Sequence, residues 1–352
     1  MVADFKKMPL VSVIVRTCPW RRHLLMRCLK SINAQEYRKI EIVVVEDGSG
    51  ETRLDVDHFR ASTDLAVQYQ SIPKGGRCRA GNRGLESANG ALLNFLDDDD
   101  EFYPNHVSSL VEVLCKRPDL VAAYSRALEV PASIRSFDPL IVIDHPGRPF
   151  REQAFSFAQL CYRNFLPIQS VMFRHELFRQ FGGFDVQLDQ LEDWNLWTRY
   201  FSAGEPDFVD KVTSFFRVPA SSTEQLRRNS AIDRYFPVAL QKQRQLLAEI
   251  GRGDIVRKIQ EIELDRMLLR SGLSRWIKVH PMTQAATIRV LNLLRRCVKF
   301  VRRRLATAVS ANLDVPYTAT SGPIWQRIAN DAPSAIPPDA NSSCAAPRIT
   351  TL

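Results

Sequence analysis

Two short runs of β-branched residues, Leu10–Val15 (LVSVIV) and Ile40–Val45 (IEIVVV), constrain the fold of this chain more than any other feature. Runs so apolar on both faces suit the buried strands of a parallel sheet. Between them Leu24, Leu25, Cys28, Leu29 and Ile32 recur at helical spacing within residues 21–34. A third strand is expected at 65–70, a helix at about 79–88 and another strand at 91–96. This β-α-β-α order predicts a doubly wound, mostly parallel α/β sheet. An aromatic-rich helix is expected around 193–201, after a Gly182-Gly183 turn. From about Ile232 to Arg304 the pattern becomes helical and charged, which predicts a C-terminal helical extension. Beyond Asn312 the chain is rich in Pro, Ser, Ala and Thr, the composition of a disordered tail. The expected division is a first domain at 1–220, the extension at 221–312 and the tail at 313–352.

The seven cysteines are scattered, with no CxxC pair, so neither a zinc site nor a disulfide framework is indicated. The opening MVADFKKMPL has no apolar core, so no secretory signal is expected. No apolar run reaches the roughly 20 residues of a bilayer span. A cytoplasmic protein, soluble or peripheral on the inner face of the membrane, is expected. The formal charge of +9 points to an anionic partner. The chain has no G-x-G-x-x-G after its first strand and no P-loop, so a dinucleotide cofactor and a P-loop nucleotide site are not expected. Its six histidines show no ligand spacing and read as surface or capping residues.

Chemistry concentrates where the strands end. Asp97-Asp98-Asp99-Asp100-Glu101 directly follows the strand at 91–96. Five adjacent acids repel one another, and a strand end is a costly place to gather them without a counter-charge. A hard divalent cation, Mn2+ or Mg2+, would relieve that repulsion with one or two carboxylates, leaving its other positions to phosphates and water. The competing reading is a solvated acidic turn. Asp47, in VVVEDGS, is a second strand-end carboxylate. It can accept an N–H from a base edge, although Asp-Gly is first of all a turn signal.

The motifs VSVIVRT, EIVVVEDGS, GNRGLESANGALLNFLDDDD and GGFDVQLDQLEDWNLWTRY, in this order, resemble those of the family 2 glycosyltransferases. The resemblance covers about Leu10 to Val218. It implies a GT-A fold and an inverting transfer from a nucleotide-diphosphate sugar, UDP-linked first among the candidates, to an acceptor hydroxyl. It also implies that Thr17 and Asp47 hold the nucleoside, that Asp97 or Asp98 reaches ribose or sugar hydroxyls, and that Asp99 binds the metal. Asp193 would be the catalytic base, and ionised carboxylates are favoured at a helix N-terminus. Gln169, Ser170, Glu192 and Trp194 are expected on the acceptor side; for Trp194 and Trp197 a place in the core is the competing reading. The setting would be bacterial-type polysaccharide or glycoconjugate synthesis, with a carbohydrate or lipid-linked acceptor.

The chain departs from the family pattern in two places. Ala80-Gly81-Asn82 stands where the family often has Ala-Arg-Asn, so the arginine expected near the diphosphate must come from elsewhere. Of the neighbouring Arg77, Arg79 and Arg83, Arg77 is carried forward as a donor contact. Phe216-Arg217-Val218-Pro219 lacks a histidine found in many members near the metal, which leaves Arg217 or the segment 221–223 to close over the diphosphate. A nucleotidyltransferase would want a glycine-rich, arginine-bearing loop after the first strand, which Arg16-Thr17-Cys18-Pro19-Trp20 is not. A non-catalytic nucleotide- or metal-binding protein is the rival of another class.

Within residues 288–309 an apolar stripe (Val290, Leu294, Val298, Val301, Leu305) runs beside Arg295, Arg296, Lys299, Arg302 and Arg303. A basic amphipathic helix of this kind is expected to lie on an anionic membrane surface. Nucleic acid is not an expected partner, because no aromatic interleaving accompanies the charge.

Overall fold

The strands β1 (Val11–Thr17) and β2 (Ile40–Asp47) are buried along their whole length, in a computed structural model that describes residues 8–150 and 153–270. They pair in parallel, with Val13 opposite Ile42. On the far side of β2 lies β3 (Ala66–Ile72), and on the far side of β1 lies β4 (Leu92–Asp97), both also parallel. The connecting helices are α1 (Arg22–Asn33), α2 (Arg53–Ala61) and α3 (Arg77–Ser87). All of these except α2 are expected from the sequence, with ends moved by a few residues; α2 is an addition between the second and third strands. The third helix starts earlier than expected because Gly76, at φ +89°, turns the chain directly into it. At Gly84 a Cβ would fall 2.3 Å from the Ile14 side chain, so α3 rests its backbone on the sheet.

Alternate strand residues face opposite layers, which is why the runs are apolar throughout. Ile14, Val43, Val45, Leu93 and Phe95 meet α3 and the later helices. Val13, Val15, Ile42, Val44 and Leu96 meet α1, α2 and a further helix, α4 (His106–Lys116). The sheet is therefore doubly wound.

Beyond β4 come β5 (Glu101–Phe102), then α4, β6 (Ala122–Phe137), β7 (Leu140–Asp144), β8 (Arg148–Pro149) and α5 (Phe157–Tyr162). The chain continues with β9 (Val171–Arg174), α6 (His175–Phe181), α7 (Glu192–Tyr200) and β10 (Pro206–Pro219). Strand order is β3-β2-β1-β4-β9-β6-β10-β5, with β7 and β8 also on β6. Here β9 runs antiparallel to both its neighbours, whereas β6 and β10 are parallel.

Two helices follow, α8 (Ser222–Glu249) and α9 (Gly253–Arg270). The first compact unit of the chain runs to Ile259, and Ala239, Leu247, Ile255 and Ile259 join its core. The basic stretch 288–309 and the tail 313–352 lie outside the described residues. Among the described residues no helix is long and apolar enough to cross a membrane.

Two histidines correct the surface-or-capping expectation. His106 is fully buried, stacked on Phe102, with its ring nitrogens 2.7 Å from Thr213 Oγ1 and 2.9 Å from Asn94 Oδ1. Burial drives its pKa down to about 3, so it ties α4 to β4 and β10 as a neutral ring. His175 is buried too, with Nδ1 2.9 Å from the Gly90 carbonyl.

Candidate active site

Because β1, β2 and β4 are parallel neighbours, their C-terminal ends open on one edge of the sheet, where ligands of such sheets bind. Thr17, Asp47 and Asp97 are the last residues of these strands. After Asp97 the chain turns at once: the Asp100 N–H donates to the Asp97 carbonyl at 3.0 Å. Asp98 and Asp99 form the tip of that turn.

The counter-charges of the acid run turn out to be arginines. Arg16, opposite Asp97 in the β1–β4 register, donates to both of its carboxylate oxygens at 2.7 and 2.8 Å. Arg21 lies 2.8 Å from Asp98 and 2.6 Å from Asp99. Thr17 donates its hydroxyl to Asp98 at 2.7 Å. Arg217 and Arg27 both pair with Glu101 and Asp144. Repulsion within the run therefore does not by itself require a metal, since the run is compensated by residues far away in the chain. Arg217 is also spent on this loop, its Nη1 donating to the Asp99 carbonyl at 2.6 Å. It is not free to close over a diphosphate.

These environments separate the acids. Burial raises the Asp98 pKa to about 7, against the pull of Arg21. Burial and the neighbouring Asp99 and Asp97 push Asp100 well above the usual carboxylate range. Burial acts upward on Asp99 as well, but Arg21 beside it holds that carboxyl below its ordinary value.

A second arm of the site starts at β2. Asp47 accepts backbone N–H groups from Gly75 at 2.6 Å and from Gly76 at 3.0 and 3.1 Å, with Lys74 Nζ at 3.3 Å. The next residue, Arg77, opens α3 and lies 3.7 Å from Glu192. Glu192 also receives Arg16 Nη1 at 3.3 Å. Thus Asp97, Arg16, Glu192, Arg77 and the loop on Asp47 form one connected set, although the chain separates Arg16 from Glu192 by 176 residues.

Asp193 adjoins this set in the first turn of α7. Its Oδ2 accepts from Asn164 Nδ2 at 2.9 Å and its Oδ1 from the Trp194 N–H at 2.7 Å. Burial, then the neighbouring Glu192, raise its pKa to about 7. The helix N-terminus does not win here: desolvation outweighs it, and the carboxyl is half-protonated near neutrality.

The expected acceptor residues are deeply placed. Trp194 is 1% exposed, stacks on Phe236 and donates its indole N–H to the Leu160 carbonyl. That is a core position, and it corrects the acceptor-wall alternative. Trp197 is core as well. Ser170 is buried with its hydroxyl on the Pro167 carbonyl, whereas buried Gln169 keeps a side-chain N–H2 with no hydrogen-bond partner among the described residues.

Among the described residues no three His, Cys, Asp or Glu side chains form a metal cage. Magnesium and manganese do not need one when a substrate supplies phosphate oxygens. Asp99, with 36% of its side chain exposed against 26% for Asp97 and 5% for Asp98, fits such single-carboxylate ligation.

The chain is similar to several known proteins. The model of glycosyl transferase family 2 matches residues 12–144. An uncharacterized glycosyltransferase of Mycobacterium tuberculosis is 29% identical over 224 residues, 60% of this chain and 80% of that relative. A GalNAc(5)-diNAcBac-PP-undecaprenol beta-1,3-glucosyltransferase of Campylobacter jejuni is 36% identical over 111 residues, 30% of this chain and about a third (34%) of that relative's length. Among solved structures, a mannosyltransferase of Pyrobaculum calidifontis in complex with GDP-Man and Mn2+ superposes with a TM-score of 0.48 and 20% identity, covering 81% of this chain and 86% of that one. Residues 12–144 carry a glycosyl transferase family 2 domain.

Proposed function

We propose that the enzyme moves a sugar from a nucleotide-diphosphate donor to an acceptor hydroxyl with inversion, using Asp193 as the base. The observation that carries this is the convergence of the strand-end acids and the first turn of α7 on one set of arginines, Arg16 bonded to both Asp97 and Glu192. Asp47 and Thr17 are assigned to the nucleoside, Arg77 to the diphosphate, and Asp97 and Asp98 to ribose or sugar hydroxyls. Glu192, Gln169 and Ser170 belong to the acceptor side.

A carboxylate poised near neutrality suits proton abstraction at physiological pH. The acceptor oxygen bonds to the anomeric carbon as its proton passes to Asp193. The electron pair of the broken C–O bond leaves on the diphosphate. Attack from the face opposite the leaving group inverts the centre. Asn164 holds the Asp193 carboxylate in place, and the loop at Gly75 and Gly76 does the same for Asp47. Asp99 would hold Mn2+ or Mg2+, which supplies neutralisation of the leaving diphosphate's growing charge.

UDP is placed first among donor nucleotides, ahead of GDP and dTDP. The acceptor class is a lipid-linked saccharide, as the name of the Campylobacter relative gives for that protein, in bacterial-type polysaccharide or glycoconjugate synthesis. The basic stretch 288–309 would bring the enzyme to the anionic inner face of the membrane that carries such an acceptor.

The test is a screen of nucleotide sugars for manganese-dependent hydrolysis. Turnover of one sugar nucleotide, lost in Asp193→Asn while donor binding stays, is the expected result. Binding without turnover by the wild type on every donor would favour a non-catalytic nucleotide-binding protein.

A further inference from the structure

Arg16 is an unusual residue for the end of a buried parallel strand. A guanidinium with 5% of its side chain exposed has left bulk water, which is costly unless its donors and charge are met. Here both are met twice over. Its Nε and Nη2 grip Asp97 from the side, and its Nη1 reaches Glu192 at 3.3 Å. The guanidinium carbon lies 5.8 Å from the centre of the Phe95 ring and 5.3 Å from that of Phe184. The space for this arrangement depends on Gly81. A Cβ there would meet Phe184 at 2.4 Å and stand 3.5 Å from Arg16 Cδ. Two further charges face the same carboxylate: Arg77 lies 3.7 Å from Glu192, and Asp193 is its chain neighbour.

We infer that Arg16 is a positioning residue that fixes the donor-side Asp97 and the base-side Glu192 relative to each other, so that one buried cation sets the distance between the two halves of the site. The inference rests on the transferase reading, because it takes Asp97 as a donor contact and the Glu192–Asp193 turn as the base. A fork gripping one carboxylate with two bonds and a second with a third defines direction as well as charge, which a lysine ammonium cannot do. The two halves of the site come from β4 and α7, and Arg16 is bonded to both.

A double-mutant cycle tests this in two readouts. Asp97→Asn, Glu192→Gln and the double variant are measured for urea unfolding without ligand and for binding of UDP with manganese. With Arg16 present, the two substitutions are expected to be non-additive by about fivefold or more in both equilibrium constants. In the Arg16→Met background, or in Arg16→Lys if the methionine variant does not fold, the coupling in UDP binding is expected to vanish. Additivity in unfolding overturns the bridge. Coupling in unfolding with additive UDP binding also overturns it, because Arg16 would then hold the fold without setting the donor site. If unfolding is coupled while neither UDP, GDP nor dTDP binds to the wild type, the bridge between Asp97 and Glu192 stands and the transferase reading fails.

Discussion

The acid loop after β4 and the first turn of α7 both present carboxylates to the same site, yet they treat them in opposite ways. On the loop, Arg21 stands against Asp99 and keeps it ionised in spite of burial. At α7, Asp193 has amide donors for partners, Asn164 and the Trp194 N–H, and burial beside Glu192 lifts it to about 7. The same side chain is thus held ionised at one end and lifted towards neutrality at the other. A permanent anion suits a cation and a diphosphate, whereas a carboxyl near neutrality suits a hydroxyl that must lose its proton.

The largest effect should fall on the proton-accepting end. Asp193→Asn is expected to lower turnover by about 10²–10⁴-fold, the range for a positioned proton acceptor, while calorimetry finds nucleotide binding preserved. Loss of binding instead would move Asp193 to the donor side and erase the contrast. Next comes the anionic end: Asp99→Asn is expected to abolish the manganese dependence of nucleotide binding, read by the same titration with and without metal.

A smaller effect concerns pH. Below about 7 Asp193 carries a proton and cannot take another, so kcat/KM should climb with unit slope through about 7 and level off above it. The Asn164 bond favours the ionised form, so Asn164→Ala should move that midpoint upward by less than about one pH unit. A downward move would show that Asn164 stabilises the protonated acid. Smallest in its effect on catalysis, Trp194→Phe removes one buried N–H donor and part of a buried ring, and should cost about 2–3 kcal/mol in urea unfolding, with acceptor KM unchanged. A shifted acceptor KM at unchanged stability would return Trp194 to the acceptor wall.

The sheet and the helices against it were readable in the sequence because periodicity is a local signal. LVSVIV and IEIVVV are buried on both faces, and each forms the strand that its composition implies. The strand ends were readable for the same reason, since Asp47 and the acid run follow apolar stretches directly. The charge compensation was hidden. Arg16 and Asp97 lie 81 residues apart, and only the parallel register of β1 on β4 sets them opposite each other. One signal pointed that way: Arg16 and Arg21 are charged residues at and just beyond the end of a strand otherwise closed to water. In the sequence alone the acid run points to a metal, although arginines from β1, the residue before α1, α1 itself and β10 compensate it first. Helix α4 was also detectable, from Val107, Leu110, Val111 and Leu114 on one face, whereas the long β6–β7 hairpin carries mixed polarity with no clean period.

The contrast between the two ends is tested most directly by titrating UDP into wild type, Asp99→Asn and Asp193→Asn, each with and without manganese. Manganese-dependent binding is expected for the wild type and Asp193→Asn, with its loss in Asp99→Asn. Binding that ignores manganese, or that survives in Asp99→Asn and fails in Asp193→Asn, would contradict that expectation.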